Sequence, residues 1–233
     1  MKHILLSAIL IAAILIVCTG CDIFDNEPNV NVNELALEYM EQKYGEKFEY
    51  SAPTGSSYTG NRTFLATCES FGDKTVVVQV VDYKTDERQF RDNYLEIKYA
   101  DRLSDYLSQI INDQFGESKL YYGTAGKPLS ADLPADATFE DYLMDPSGTI
   151  NAVAVVKESD FNDMNQLSEV METISSNCAA GSMSIVLLVI EDSKYIDCNL
   201  SKARDYSIRE NFIAKGKILR ADGDTSIDYY GGE

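Results

Sequence analysis

Histidine occurs once in the 233 residues, at position 3, and this already restricts the chemistry open to the chain. Ser-His-Asp hydrolysis and Cys-His hydrolysis or transpeptidation need an imidazole to take the proton from the nucleophile. No Ser-x-x-Lys and no Gly-x-Ser-x-Gly occurs either. Gly123-Thr-Ala-Gly126-Lys127-Pro128 holds part of a phosphate-binding pattern. Tyr121 stands where its first glycine belongs, however, and Pro128 replaces the hydroxyl residue, so a plain loop is expected. Asp222-Gly-Asp224 and Asp160-Phe-Asn162-Asp163 place oxygen ligands close together, but neither continues into a twelve-residue calcium loop with a central glycine and a closing glutamate. The 38 acidic residues could supply a carboxylate pair for acid-base or glycosidase work from distant positions, and their number makes any single pair uninformative. No catalytic, cofactor-binding or metal-ligating residue is assigned on these grounds, and no cofactor is expected.

The cysteines are more informative. Met1-Lys2-His3 is a short positive start, and Ile4 to Val17 is a 14-residue apolar run that leads into Val17-Cys18-Thr19-Gly20-Cys21. Such a run rises about 21 Å as a helix, short of the roughly 30 Å hydrocarbon core, so it reads as the h-region of an export signal. The small pair Thr19-Gly20 before Cys21 resembles the lipobox of bacterial lipoproteins, with Cys18 in a position that usually carries an aliphatic residue. That resemblance implies cleavage before Cys21 and a diacylglycerol thioether on its sulfur. It divides the chain into a signal peptide (1–20), a lipidated, Asn-rich flexible tether (21–33) and a globular region (34–233). An ordinary secretory leader and an uncleaved signal anchor are the competing readings. Of the remaining thiols, Cys68 lies in an apolar run and reads as buried, while Cys178 and Cys198 are candidates to pair; three thiols leave at least one free.

Removing the leader takes away Lys2 and leaves 19 basic against 38 acidic side chains, a net charge of −19 on 213 residues. Nucleic acid and anionic lipid surfaces are both disfavoured as partners of such a body. The lipid on Cys21 would be the membrane contact, holding the protein on the outer face of the cytoplasmic membrane. The expected function is that of an extracytoplasmic binding or accessory module for an envelope protein or ligand not specified by the sequence. A histidine-free carboxylate hydrolase and a small solute-binding subunit of a transporter are the alternatives.

The elements that must position any site read as α+β, with a mixed sheet or two small sheets and three main helices packed on them. Asn33 is placed to cap a helix over residues 34–44, with Gly45 as its stop. The segment Tyr39 to Phe48 resembles the start of small uncharacterised lipoproteins of Gram-positive bacteria, a resemblance that implies no chemistry. Strands are expected over 47–52, 63–69 and 75–82, the last of them central. Apolar spacing of three and four marks helices over 97–115 and 160–176. Further strands are expected over 119–122, 149–156 and 183–191, with the last two joined by a parallel crossover. Weaker strand candidates lie at 194–198 and 211–220, followed by a turn and a loose end. Gly123 to Gly148 holds Pro128, Pro134 and Pro146 around a helical turn with the capping box Thr138-Phe-Glu-Asp141. It reads either as a connection between halves 34–122 and 149–233 or as an excursion within one domain. Tyr121-Tyr122 and Tyr229-Tyr230 are the exposed-looking aromatic pairs.

Overall fold

Apolar periodicity of 3.6 in some segments and 2.0 in others is resolved into an α+β fold with two separate sheets, in a computed structural model that describes residues 31–56, 60–129, 131–221 and 223–231. Residues 1–35 and 36–233 form two units. In the described part of the first unit a helix begins, α1 (Val32–Tyr44). Asn31 Oδ1 accepts from the Asn33 amide at 3.2 Å, so the cap is Asn31 and not the expected Asn33.

The first sheet is an antiparallel meander of β1 (Phe48–Ser56), β2 (Arg62–Cys68), β3 (Val76–Val81) and β4 (Gln89–Asp92) in chain order. Strict alternation buries Phe64, Ala66 and Cys68 of β2 and Val76, Val78 and Val80 of β3, as a sheet with one inner face requires. α1 covers that face: Tyr39 stacks on Phe90 at 5.0 Å, and Ala36 and Met40 are fully buried. β1 carries two register shifts, one at Pro53, which has no N–H to give to the ladder.

The second sheet runs β5 (Ser118–Gly123), β6 (Thr149–Lys157), β7 (Ser182–Ile190), β8 (Ala214–Ala221) and β9 (Asp224–Gly231). Only β6 and β7 are parallel, and α4 (Met164–Asn177) makes the expected crossover between them. The long helix α2 (Tyr94–Phe115) and α4 pack on one face, where Leu103, Leu107 and Ile111 meet Ala154, Leu187 and Met171. On the other face α5 (Asp192–Ile196) and α6 (Leu200–Ile208) cover one end only. Along β6 that face goes from exposed at Asn151 to half-buried at Val153 and buried at Val155.

The chain changes sheets through α2. The Pro-rich stretch, with α3 (Phe139–Met144), joins β5 to its antiparallel neighbour β6. The capping box forms as expected: Thr138 Oγ1 accepts from the Asp141 amide at 3.1 Å, and the Thr138 amide donates to Asp141 Oδ2 at 2.8 Å.

Several segments differ from the sequence-based expectation, which named neither β4 nor α6. Residues 192–196 are helix α5, not a strand, because Tyr195 and Cys198 face the core at helical spacing while Ile196 points to solvent. Residues 224–231 form β9, although they were expected to be a turn and loose end. It is an edge strand with no buried residue, so its backbone ladder to β8 leaves no apolar pattern. Cys178 and Cys198, the two candidates to pair, do not form a disulfide, and Cys68, Cys178 and Cys198 are all free and buried. Cys178 belongs to the core on one face of the second sheet and Cys198 to the core on the other, so the sheet stands between the two sulfurs.

Candidate functional site

The sequence Asp92-Asn93-Tyr94-Leu95-Glu96 opens α2 and places three polar side chains where the core is otherwise apolar. Asp92, Asn93 and Glu96 are each at most 2% exposed. Buried polar groups must be hydrogen-bonded, and all three are, while only Asp92 also has a cationic partner, Lys43. Asp92 is opposite Val78 on the inner face of the first sheet and receives Lys43 Nζ at 3.0 Å, the Tyr44 hydroxyl at 2.7 Å and the Tyr94 amide at 3.0 Å. Burial and the neighbouring Asp92 charge push the Tyr44 hydroxyl well above its ordinary pKa, so it remains a donor. Asn93 Oδ1 accepts from the Val77 amide at 2.7 Å, and its Nδ2 donates to Glu96 Oε2 at 3.0 Å. Glu96 Oε1 accepts from the Ala125 amide at 2.5 Å. The network ties α1, β3, the start of α2 and the loop after β5 together. The Leu129 amide extends it by donating to the Asp92 carbonyl at 2.7 Å.

Burial raises the Glu96 carboxyl above its ordinary 4.5, against the lowering effect of hydrogen bonds from Asn93 and the amides of Ala125 and Gly126. A folded-state value above the unfolded one means that this group's favourable contribution is complete below about pH 4.5 and is lost as pH rises through the raised value. Glu96→Gln would turn an amide donor toward Asn93 Nδ2. A cost of about 1–3 kcal/mol is expected, largest in mild acid and shrinking toward neutral pH. Urea midpoints of both proteins across pH 4 to 8 check this; a pH-independent gap would contradict it. Both carboxylate oxygens are engaged by the protein's own donors, so Glu96 is unsuited to exchanging a proton with a bound substrate.

Next to this network in sequence, residues on α2 and β5 line a groove that forms the candidate site. It measures about 690 Å³ and is lined by Leu120 to Gly123 of β5, by Thr124 just after it, and by Ile97, Ala100, Asp101 and Ser104 on α2. Asp73, Lys74 and Thr75 of the β2–β3 connection and Leu200 of α6 complete it. Its strand wall is held firmly. Lys119 Nζ donates to the carbonyls of Tyr195 at 2.6 Å and Ile196 at 2.8 Å, and the Tyr121 hydroxyl donates to the Cys198 carbonyl at 2.7 Å. Tyr122 lies on the opposite face from Tyr121, and burial pushes its hydroxyl up to about 12. Tyr121 and Tyr122 are both half-buried, whereas Tyr229 and Tyr230 are exposed as expected.

Two other concavities are built differently. One of about 630 Å³ between α2, α3 and the end of α4 has Arg102 over the Phe139 ring at 4.3 Å and paired with Glu140 at 2.8 Å. Another of about 690 Å³ contains Lys127, Ser147, Ser175 and Arg220. Arg220 is spent there on the protein itself: its guanidinium donates to the carbonyls of Ser175 at 2.8 Å, Cys178 and Ala180, and to Thr225 Oγ1 at 2.7 Å. These bonds satisfy carbonyls at the C-terminal end of α4. Lys127 sits in a loop with no helix after it, as the broken phosphate pattern implied.

The other sequence-derived candidates resolve into structural roles. Asp163 caps α4 by accepting from the amides of Asn165 at 2.9 Å and Gln166 at 3.2 Å, and the Asp160 carbonyl accepts from Gln166 Nε2. Asp222 and Cys21 lie outside the described residues. Among the described residues, no group of three or more His, Cys, Asp or Glu is placed to hold a metal ion. Burial pushes Cys68 and Cys178 each up to about 11 and raises Cys198, so these thiols remain protonated near neutral pH and are poor nucleophiles.

Neither a protein-family model nor a curated protein matches the sequence. Among solved structures, the chain is similar to a DUF5037 family protein from Ruminococcus gnavus ATCC 29149, with 11% sequence identity and a TM-score of 0.37 over 83% of this chain and 92% of that one.

Proposed function

We propose that the chain is a lipid-anchored binding or accessory module of the bacterial envelope, held by Cys21 on the outer face of the cytoplasmic membrane and without catalytic chemistry of its own. The leader supports the location: a charged start, a 14-residue apolar run and small residues before a cysteine coincide within the first 21 positions. The observation that carries the binding role is the groove between α2 and β5. Lys119 and Tyr121 tie its strand wall to the carbonyls of Tyr195, Ile196 and Cys198, Glu96 beside its helix wall is engaged by Asn93 and Ala125, and the burial-raised Tyr122 hydroxyl stays protonated. A preorganised concave surface of this size suits binding.

The anchor is tested by Cys21→Ala. The variant is expected to leave the membrane fraction and to lose all metabolic labelling by fatty acid, because two or three acyl chains are what hold such a protein on a bilayer. A variant that remains membrane-bound and labelled would contradict the proposal.

A further inference from the structure

The α2–β5 groove has a feature that a simple side-chain pocket lacks. Leu120, Tyr121, Tyr122, Gly123 and Thr124 line it consecutively. Neighbouring strand residues point to opposite faces of a sheet, so a continuous run can meet one groove only along the strand's outer edge, where the main chain lies. β5 is the terminal strand of the second sheet, and its other edge is paired with β6. Among the described residues no strand pairs with the outer edge. Facing it, Ile97, Ala100, Asp101 and Ser104 follow i, i+3, i+4, i+7 spacing and form one stripe along α2. An unpaired edge of a half-buried strand and a helix stripe thus line one groove of about 690 Å³.

The geometry points to strand addition: the groove takes an extended peptide segment of a partner protein, which pairs its main chain with the outer edge of β5. This deepens the binding role proposed above and rests on it. Edge strands carry unpaired N–H and C=O groups, and an extended chain is the ligand that satisfies them in series. The fold does little to blunt this edge. β5 contains no proline and has no bulge in its register with β6, and its one lysine, Lys119, is turned to the α5 carbonyls. Ala100 is small and lets a second chain approach the helix, while Ile97 supplies an apolar wall. Exposed Asp73 and Asp101 favour a basic side chain on the bound segment, offset only in part by Lys74, and the overall charge of −18 acts in the same direction.

The test uses the full chain in detergent micelles, amide-labelled for NMR, and a capped hexapeptide Thr-Val-Lys-Val-Thr-Val as probe. Two N-methylated versions carry methyl groups on alternate residues of opposite parity. Strand addition uses only every second amide of the ligand. One methylated version should therefore bind at least about tenfold more weakly than the parent and the other should not, because one or more main-chain hydrogen bonds are lost in the first. Shifts are expected along 118–124 and 97–104. Ser104→Arg, on the half-buried helix stripe, should abolish them. Asp101→Lys, a surface change that leaves the fold intact, should weaken the lysine peptide by up to about fivefold. Equal binding of both methylated peptides would overturn the proposal, as would shifts confined to β9 or the α2–α3 groove. So would β5 shifts that follow protein concentration without peptide, which would make a second copy the occupant. Cleavage of the peptide would sink the non-catalytic reading and leave the edge site standing, whereas retained labelling of Cys21→Ala would sink the anchor alone.

Discussion

Asp92→Ala is expected to lower the unfolding free energy by about 3–5 kcal/mol, the usual cost of removing one partner from a buried ion pair. Lys43, whose side chain is only 12% exposed, would keep its charge without the carboxylate that now accepts from it at 3.0 Å. The Tyr44 hydroxyl and the Tyr94 amide would lose their acceptor as well. Because those donors come from α1 and the start of α2, the damage falls where the first sheet meets the long helix. Urea denaturation gives the value directly, and a thermal melt should fall by about 2–4 °C for each kcal/mol in a chain of this size. Pairing Asp92→Leu with Lys43→Met should recover part of the loss, since an apolar pair leaves no stranded charge. A loss below 1 kcal/mol in the single variant would mean that water reaches this site.

Phe64→Ala should cost about 3–5 kcal/mol, the range for deleting a fully buried aromatic side chain. Phe64 is 1% exposed and lies opposite Val78 in the middle of the first sheet, with the Tyr50 ring 5.5 Å away. The manner of unfolding is as informative as the size of the loss. Asp92, Asn93 and Glu96 link that sheet to α2 and to the loop after β5, so the second sheet should lose structure in the same transition. Coincident curves from circular dichroism and from tyrosine fluorescence would agree with this. An early transition confined to the first sheet would show that the polar network does not couple the two.

The parts of the fold that could be read ahead are those buried on a regular face. Leu103, Leu107, Ile111 and Phe115 announce α2 because one stripe of it faces the second sheet. β6 and β7 read as continuous apolar runs because α5 and α6 cover their second face at one end. β4 and β9 escape such reading because edge strands are held by backbone ladders and carry little apolar alternation. The buried network was hidden for a different reason. Asp92-Asn93-x-x-Glu96 ahead of an apolar stripe looks like ordinary helix-start polarity, yet the Asn93 side chain makes no cap and accepts from Val77 instead. A pattern of three polar residues at a helix start is the signal that was present. The groove had no local signal at all. Its residues come from positions 73–75, 97–104, 120–124 and 200, and tertiary packing alone brings them together.

The central claim, a folded binding module held on the outer membrane face by lipid, is tested most directly by the intact mass of the protein extracted from the membranes of its own host. The mass should correspond to a chain that has lost residues 1–20 and begins at Cys21 with a diacylglycerol thioether. An unmodified chain, or one cut at any other position, would contradict the account.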